Sequence, residues 1–184
     1  MTRPYTRRGD SGETDLIGGK RVPKDNLRIT ALGEVDELNA VIGLAMAVIE
    51  DGDIVAALHR VQNDLFTVGA DLSVAPGKEL RLPKVTEDQV KALEQDIEKL
   101  NPGAANEFVL PGGSMQAASL QLARAVARRA ERAVVALSRR QRVNKHIMEY
   151  LNRLSTLLYV LALNVKKKTG STEEHPKYEW PGRK

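Results

Sequence analysis

Two arginines and a glutamate in the second half of the chain have a spacing that brings charged groups together. Arg124, Arg128 and Glu131 lie four and three residues apart, so on a helix their side chains project from one face. Arginines one turn apart repel each other by roughly a few tenths of a kcal/mol, and their planar groups bind carboxylates or phosphates through two hydrogen bonds. The pattern therefore predicts a compensating anion.

Three partners fit that requirement. They are Glu131 itself, a carboxylate from another helix such as Asp36, and the phosphate of a bound ligand. A solvated or inter-subunit face of salt bridges would show the same spacing, because charged helix faces are common. The spacing alone leaves both an anion site and a salt-bridge face open.

The N-terminal segment 5–24 has the composition of a phosphate-binding loop. Its four glycines allow backbone N–H groups to converge on an anion. Thr6 and Thr14 add hydroxyls, and the positive charges come from Arg7, Arg8, Lys20 and Lys24. The segment lacks the spacing of a Walker A loop and of a dinucleotide-binding fingerprint. A flexible basic arm is the alternative interpretation.

Composition limits the kind of protein that carries these groups. A chain of 184 residues with 42% hydrophobic residues suits one domain. Two Phe and one Trp leave the core to aliphatic side chains, which favours helices. The absence of cysteine excludes disulfides and fits a reducing cytoplasm. The longest apolar run, 157–163, is too short to span a bilayer, so we expect a cytoplasmic protein. The net charge of +4 suits an anionic ligand.

Apolar residues repeat at helical spacing in five stretches after residue 26. The first two carry stripes from Leu32 to Ile49 and from Ile54 to Leu72. The third begins at Thr86, whose spacing to Gln89 matches a capping box. The fourth and fifth cover about 114–140 and 145–168. We therefore expect an all-α five-helix bundle over 27–168, preceded by a loop segment over 1–26 and followed by a polar tail over 169–184.

Polar stripes accompany the apolar ones on three helices. The first helix carries Asp36 and Asn39, the fourth carries the two arginines with Glu131, and the fifth carries Asn152, Ser155 and Tyr159. In the turn before the fourth helix, Phe108 is either a core residue or the wall of a ligand pocket. The three histidines show no metal-ligand spacing.

Taken in order, these segments resemble the PduO-type ATP:cob(I)alamin adenosyltransferases, or corrinoid adenosyltransferases. The resemblance covers nearly the whole chain. It is carried by YTRRGDSGETDLIGG, VPKD, GEVDELNA, QNDLFTVGADL, FVLPGGS, ARAVARRAERAVV and YLNRLSTLLYVLA. One departure is Arg8, which stands where the family usually has a small hydroxyl residue.

The resemblance implies a homotrimer that binds ATP between subunits with the corrinoid beside it. The implied reaction transfers the adenosyl group of ATP to Co(I) of cobalamin and releases triphosphate, with Mg²⁺ on the phosphates. The implied triphosphate and metal contacts are Thr6, Arg7, Gly9, Asp10, Gly12, Thr14 and Lys24. Further ATP contacts are Arg124, Arg128, Glu131 and Asn152, with Asp36 pairing to an arginine.

In the same scheme Phe108 excludes the lower axial ligand of cobalt. A reductase and an adenosylcobalamin-dependent enzyme are the implied protein partners, with neither nucleic acid nor a membrane involved. Two rival functions stay open: a nucleic-acid-binding bundle that uses the basic fourth helix, and a non-catalytic trimer that binds ATP or corrinoid. The interleaved Glu131 and the shortage of aromatic residues disfavour nucleic acid.

Overall fold

The computed structural model describes residues 5–103, 109–171 and 174–177. Within these residues a two-stranded antiparallel hairpin precedes five helices. The five helices confirm the predicted bundle, and the hairpin lies within the segment predicted as a loop. The strands are β1 (Glu13–Asp15) and β2 (Arg21–Pro23). The helices are α1 (Leu27–Met46), α2 (Gly52–Ser73), α3 (Glu87–Leu100), α4 (Met115–Ser138) and α5 (Lys145–Thr169).

Each helix begins at a side chain that satisfies free backbone N–H groups. Asp51 accepts from the N–H of Ile54, and Ser114 accepts from the N–H of Ala117. The predicted capping box at the start of α3 is confirmed, since Thr86 and Gln89 cap each other's backbone. These caps explain why the predicted starts of α3, α4 and α5 fall within one residue of the observed ones.

The first helix is shorter than its apolar stripe suggested. α1 ends at Met46, whereas the predicted stripe continued to Ile49. Beyond Met46 the backbone tightens, because the N–H of Val48 binds the carbonyl of Ala45 and the N–H of Ile49 binds that of Met46. Ile49 is buried nonetheless. A buried residue in a tight turn therefore continued a helical pattern after the helix had ended.

The helices enclose one aliphatic core. α4 packs against both α1 and α5, α1 packs against α2, and α5 packs against α3. The face of α4 that enters the core is built of small residues, among them Ala123, Ala127 and Ala130, which are fully buried. Small side chains let helix axes approach closely. The packing of α4 between two helices therefore decides which of its other residues face outward.

The N-terminal segment, which we call the head (residues 5–24), is fastened to the ends of α1 and α2. The N–H of Ile17 binds the carbonyl of Ser73, and the N–H of Ala75 binds the carbonyl of Ile17. Leu16 and Val22 pack with Ala75 in a small second core. The head is therefore an ordered part of the fold rather than a free basic arm.

A buried guanidinium joins three parts of the bundle beneath the head. Arg28, which is 5% exposed, donates to the carbonyl of Leu72 at 2.9 Å and to Oε1 of Gln141 at 3.0 and 3.1 Å. These contacts tie the first turn of α1 to the end of α2 and to the segment after α4. Burial lowers the pKa of Arg28, and the carboxylate of Asp71 opposes that effect.

None of the helices within the described ranges combines the length and the apolar character needed to cross a membrane.

The most buried helix, α5, has three lysines, 166–168, in its last turn and is capped by Gly170 in the left-handed conformation. Basic residues at a helix C-terminus interact favourably with its dipole.

A buried hydrogen bond joins α2 to α5. The hydroxyl of Tyr150, a fully buried side chain, donates to Oδ2 of Asp64 at 3.0 Å. Burial raises the pKa of Asp64, whereas the Tyr150 hydrogen bond and the charge of Arg60 act in the opposite direction. The fold therefore favours the protonated form of Asp64 more than an unfolded chain does.

This shift predicts a pH dependence of stability. The contribution of Asp64 is fully present below its ordinary pKa of 3.8 and is lost as the pH rises through its raised value in the folded protein. Asp64→Asn removes this titration. The free energy of unfolding of the variant should therefore increase relative to that of the wild type as the pH rises. Urea unfolding at a series of pH values measures the difference, and a constant difference contradicts the assignment. Tyr150→Phe should steepen the wild-type trend.

Candidate functional site

The predicted arginine pair lies on the outward side of α4. Arg124 is half-buried, and its Nε donates to Oε1 of the buried Gln121 at 2.7 Å. Arg128 is exposed, and no ion pair or hydrogen bond joins its side chain to any residue that the structure describes. The compensating anion predicted from the spacing is therefore not supplied to Arg128 by this part of the chain.

The stripes on α4 and α5 meet, as the sequence suggested. Nδ2 of Asn152 donates to Oε1 of Glu131 at 3.1 Å, and Oδ1 of Asn152 accepts from the guanidinium of Arg153 at 2.9 Å. Glu131 is thus held by a neutral amide rather than by an arginine of its own helix. This bond places the carboxylate of Glu131 on the same outward side as Arg128. We call Arg124, Arg128, Glu131 and Asn152 the arginine face.

The carboxylates of α1 reach a different arginine from the one predicted. Glu34 and Glu37 both form ion pairs with Arg129, the neighbour of Arg128 on α4. These pairs raise the pKa of Arg129. Asp36 is exposed and forms no ion pair within residues 5–103, 109–171 and 174–177. The spacing of Glu34 and Glu37 on one face of α1 was the signal that could have identified this contact.

The head forms a series of tight turns before its hairpin. The N–H of Asp10 binds the carbonyl of Arg7, and the N–H of Gly12 binds that of Gly9. Arg7 has φ 61° and Gly12 has φ 81°, a region that favours glycine. The guanidinium of Arg7 lies 5.7 Å from the ring centre of Tyr5. Such consecutive turns expose backbone N–H groups of the kind that bind anions.

Several predicted phosphate ligands lie together in the head. The N–H of Lys24 binds the carbonyl of Gly12 at 2.8 Å. A methyl group placed on Gly9 would lie 3.2 Å from the ammonium nitrogen of Lys24. Thr14, half-buried, pairs with Val22 across the hairpin. Lys24 therefore lies over the Gly9 to Gly12 turns, and its positive charge shares one surface with them.

Other charges of the head hold it in shape. Arg8 pairs with Asp15 at 3.1 Å. Arg21 pairs with Glu13 at 3.3 Å and also donates to the carbonyl of Arg8 at 2.8 Å. The unusual Arg8 thus contributes an exposed ion pair within the hairpin. Asp10, in contrast, is exposed and forms no such pair among the described residues.

The head and the arginine face lie apart along one chain. The head is anchored beside the first turn of α1, where Arg28 contacts Gln141, just beyond the end of α4. Position 128 precedes the last residue of α4, Ser138, by a helical length of about 15 Å at the usual rise per residue. No hydrogen bond or ion pair in the described ranges connects the two surfaces.

Phe108 lies outside the described residues, so its predicted place in a pocket wall remains a prediction. The residues that follow it are held firmly. The N–H of Leu110 binds the carbonyl of Glu174 at 2.7 Å, and Nζ of the buried Lys166 donates to the carbonyl of Leu110 at 3.2 Å. Across the described chain no group of three or more His, Cys, Asp or Glu side chains is placed to hold a metal ion.

The fold and these two surfaces define a helical bundle with a glycine-rich, cation-bearing head and a helix face that carries two arginines. Residues 4–165 match the family model described as Cobalamin adenosyltransferase. The chain is 41% identical over 172 residues to a corrinoid adenosyltransferase of Bacillus subtilis, covering 90% of this chain and 88% of that one. It is 42% identical over 176 residues to a cobalamin adenosyltransferase of Cupriavidus metallidurans, covering 94% and 93%. The chain belongs to the cobalamin adenosyltransferase family.

Solved structures agree with this assignment. A variant PduO-type ATP:corrinoid adenosyltransferase from Lactobacillus reuteri, complexed with cobalamin and ATP, superposes with a TM-score of 0.88 at 31% sequence identity. The match covers 96% of this chain and 100% of that chain. A second variant from the same organism, complexed with ATP, gives a TM-score of 0.87, also at 31% identity.

Proposed function

We propose that this protein transfers the 5′-deoxyadenosyl group of ATP to the cobalt of cob(I)alamin, forming adenosylcobalamin and releasing triphosphate. Family membership along almost the entire bundle carries this proposal. The geometry supports it, because Arg128 is exposed and has no partner within the described residues, and because the turns of the head carry the positive charge of Lys24. A triphosphate is an anion that satisfies both.

The reaction places modest demands on the protein. The electron pair of Co(I) forms the bond to C5′ of ATP, the C5′–O bond breaks, and triphosphate leaves with the electron pair of the C5′–O bond. No proton has to move in this step, so neither a general base nor a histidine is required. Alignment of the two substrates matters more, since holding reactants in line can contribute about 7–11 kcal/mol to lowering a barrier. Cationic groups on the leaving triphosphate add electrostatic stabilisation.

The head and the arginine face divide the binding of ATP between them in this proposal. The triphosphate contacts in the head are Thr6, Arg7, Gly9, Asp10, Gly12, Thr14 and Lys24. On the arginine face, Arg124 and Arg128 bind phosphate oxygens, and Glu131 with Asn152 contacts the rest of the nucleotide. The Glu131–Asn152 hydrogen bond supports this assignment because it holds both groups beside Arg128.

The roles that we propose for Asp36 and Mg²⁺ rest on the exposure of carboxylates in this chain. Asp36 is exposed on α1, so it is available to an arginine of a neighbouring subunit. Mg²⁺ is held mainly by substrate phosphates in many nucleotide sites, with one or two carboxylates. Asp10 fits that requirement, because it is an exposed carboxylate of the head that forms no ion pair within the described residues, whereas Glu13 and Asp15 are paired with arginines. The ion would neutralise charge on the phosphates.

The corrinoid lies beside ATP in this scheme, with Phe108 against the lower face of the cobalt. An apolar aromatic there excludes water or a nitrogen base from the axial position, which makes reduction to Co(I) easier. Lys166 and Glu174 support this role indirectly, because they hold Leu110, two residues further along the chain. A reductase that supplies the electron and an enzyme that uses adenosylcobalamin are the partners we propose in the cytoplasm.

We further propose that the site forms between subunits of a homotrimer. Arg128 lies about 15 Å along α4 from the end of the helix beside which the head is anchored, and both Arg128 and the Gly12 turn are exposed. A cyclic assembly brings the head of one subunit to the arginine face of the next. Assembly would then be a condition for activity.

The proposed reaction predicts two products. Protein incubated anaerobically with ATP, Mg²⁺ and chemically reduced cobalamin should yield adenosylcobalamin, detected by its light-sensitive Co–C absorption, and one triphosphate for each turnover. Formation of neither product under strict anaerobic conditions would contradict the proposed function. Tight binding of both substrates without turnover would instead indicate a non-catalytic carrier.

The arginine face should be essential for turnover but not for folding. Because Arg128 has no partner in the described chain, Arg128→Ala should lower kcat/KM by at least about 100-fold while leaving helix content and the melting temperature unchanged. Arg140→Ala provides a matched control, since it removes an exposed arginine just beyond the end of the same helix. Equal activity of the two variants would show that the arginine face is misassigned.

Subunit complementation tests whether the site is shared. Lys24→Glu alters the head and Arg128→Ala alters the arginine face, so each variant alone should be inactive. In mixed trimers formed by co-expression, about a quarter of the interfaces should join two intact surfaces. The mixture should regain activity to about that extent relative to the wild type. Mixtures that stay as inactive as each parent would place both surfaces in one chain's site.

A further inference from the structure

A large cleft lies at the end of the bundle beneath the loop that joins α2 to α3. Its volume is about 790 Å³, and its walls come from the loop 74–86, the end of α2 and the segment 142–146. Drug-sized ligands occupy pockets of about 300–1,000 Å³. Among the residues that the structure describes, the lining contains none of those that we assign to ATP.

The lining of this cleft is strongly cationic. Arg28, Lys78, Lys84, Arg142 and Lys145 contribute to it, against two carboxylates, those of Asp71 and Glu79. Four of the five cations are exposed, and none of these four forms an ion pair within the ranges that the structure describes. Such an excess of one charge around a concave surface attracts anions.

The fifth cation is buried, and no counter-ion contacts it among the residues that the structure describes. Arg28 is 5% exposed, and its hydrogen-bond partners are the amide of Gln141 and the carbonyls of Leu72 and Arg142. The nearby carboxylate of Asp71 accepts from Asn144 instead, at 2.9 Å. A buried charge in contact only with neutral acceptors is costly, and an anion in the adjoining cleft would offset that cost.

Apolar side chains complete the cleft. Val74, Pro76, Leu82, Val85 and Val143 lie among the cations. A purely inorganic anion would leave this apolar surface in contact with water, whereas an aromatic or aliphatic body would cover it. The lining therefore matches a small molecule that carries one phosphate and an apolar portion.

The cleft also shares a wall with the anchor of the head. Val74 and Ala75 line it; Val74 forms a β-bridge with Ile17, and the N–H of Ala75 donates to the carbonyl of Ile17. Gly18 lies close enough to Lys78 that a methyl group there would meet the lysine side chain at 3.1 Å. A ligand in the cleft would thus contact the segment that positions the head.

We propose that this cleft is an effector site for a small organic phosphate, separate from the ATP and corrinoid sites, whose occupancy changes the position of the head. The binding part of this proposal does not depend on the proposed enzymatic function. Its regulatory part rests on that function, because the head is taken to bind ATP.

Phenyl phosphate is the probe, compared with inorganic phosphate and with phenol. Calorimetry is performed with saturating ATP and Mg²⁺ and without corrinoid, so that the ATP site is filled. Phenyl phosphate should bind at least about tenfold more tightly than either comparison compound, because it satisfies both the cations and the apolar wall. Equal affinity for inorganic phosphate, or no binding of phenyl phosphate, would overturn the proposal.

Charge reversal tests the location of binding. The double variant Lys84→Glu/Arg142→Glu should lose phenyl phosphate binding by at least about tenfold and keep the KM for ATP and the helix content of the wild type. Arg140→Glu, an exposed change outside the lining, is the matched control and should bind the probe normally. Unchanged binding in the double variant, or loss of binding in Arg128→Ala, would overturn the assignment to this cleft.

A kinetic measurement tests the coupling to the head. Phenyl phosphate should shift the KM for ATP of the wild type by at least about twofold and should have no effect on the double variant. Binding without any shift would refute the regulatory part. Absence of all adenosyltransferase activity, together with specific binding in calorimetry, would refute the proposed function while leaving the binding site in place.

Discussion

The burial of the small-residue face of α4 is the constraint on which the other features depend. Ala123, Ala127 and Ala130 must be covered, and the structure covers them with α1 on one side and α5 on the other. Because a helix has 3.6 residues per turn, this burial leaves Arg124 and Arg128 only the outward direction. It also brings Glu131 within reach of Asn152 on α5. The geometry of the proposed ATP site is thus a consequence of core packing.

Two neighbouring arginines on α4 have different roles. Arg129 is satisfied by Glu34 and Glu37 and joins α1 to α4, whereas Arg128 is left without a partner in the described residues. Surface ion pairs contribute little to stability, so the pairing of Arg129 matters more for orienting the helices. The unpaired Arg128 is therefore suited to bind an anion transiently, because the anion does not have to displace an existing partner.

The end of the bundle beneath the head combines support with a proposed second site. Arg28 ties α1 to α2 and to the α4–α5 connection through neutral acceptors, and the head rests on the same region through Ile17 and Val74. The position of the head relative to the bundle therefore depends on a few backbone contacts at the rim of a cationic cleft and on the small core that Leu16 and Val22 form with Ala75. Its other internal contacts, such as the Arg8–Asp15 pair, hold the shape of the head and not its placement.

Local patterns in the amino-acid sequence determined the five helices and the capping box at Thr86, because these depend on residues close together along the chain. The glycines and basic residues of the head were likewise evident from the sequence. Local patterns also placed Arg124, Arg128 and Glu131 on one side of a helix. The partner choices of Arg129, Arg28 and Asp64 depend on which helices pack together, so only the tertiary structure decided them. The same reason explains why the sequence pattern placed Ile49 in a helix. Ile49 is buried at helical spacing from the stripe of α1, but it lies in a turn after that helix has ended.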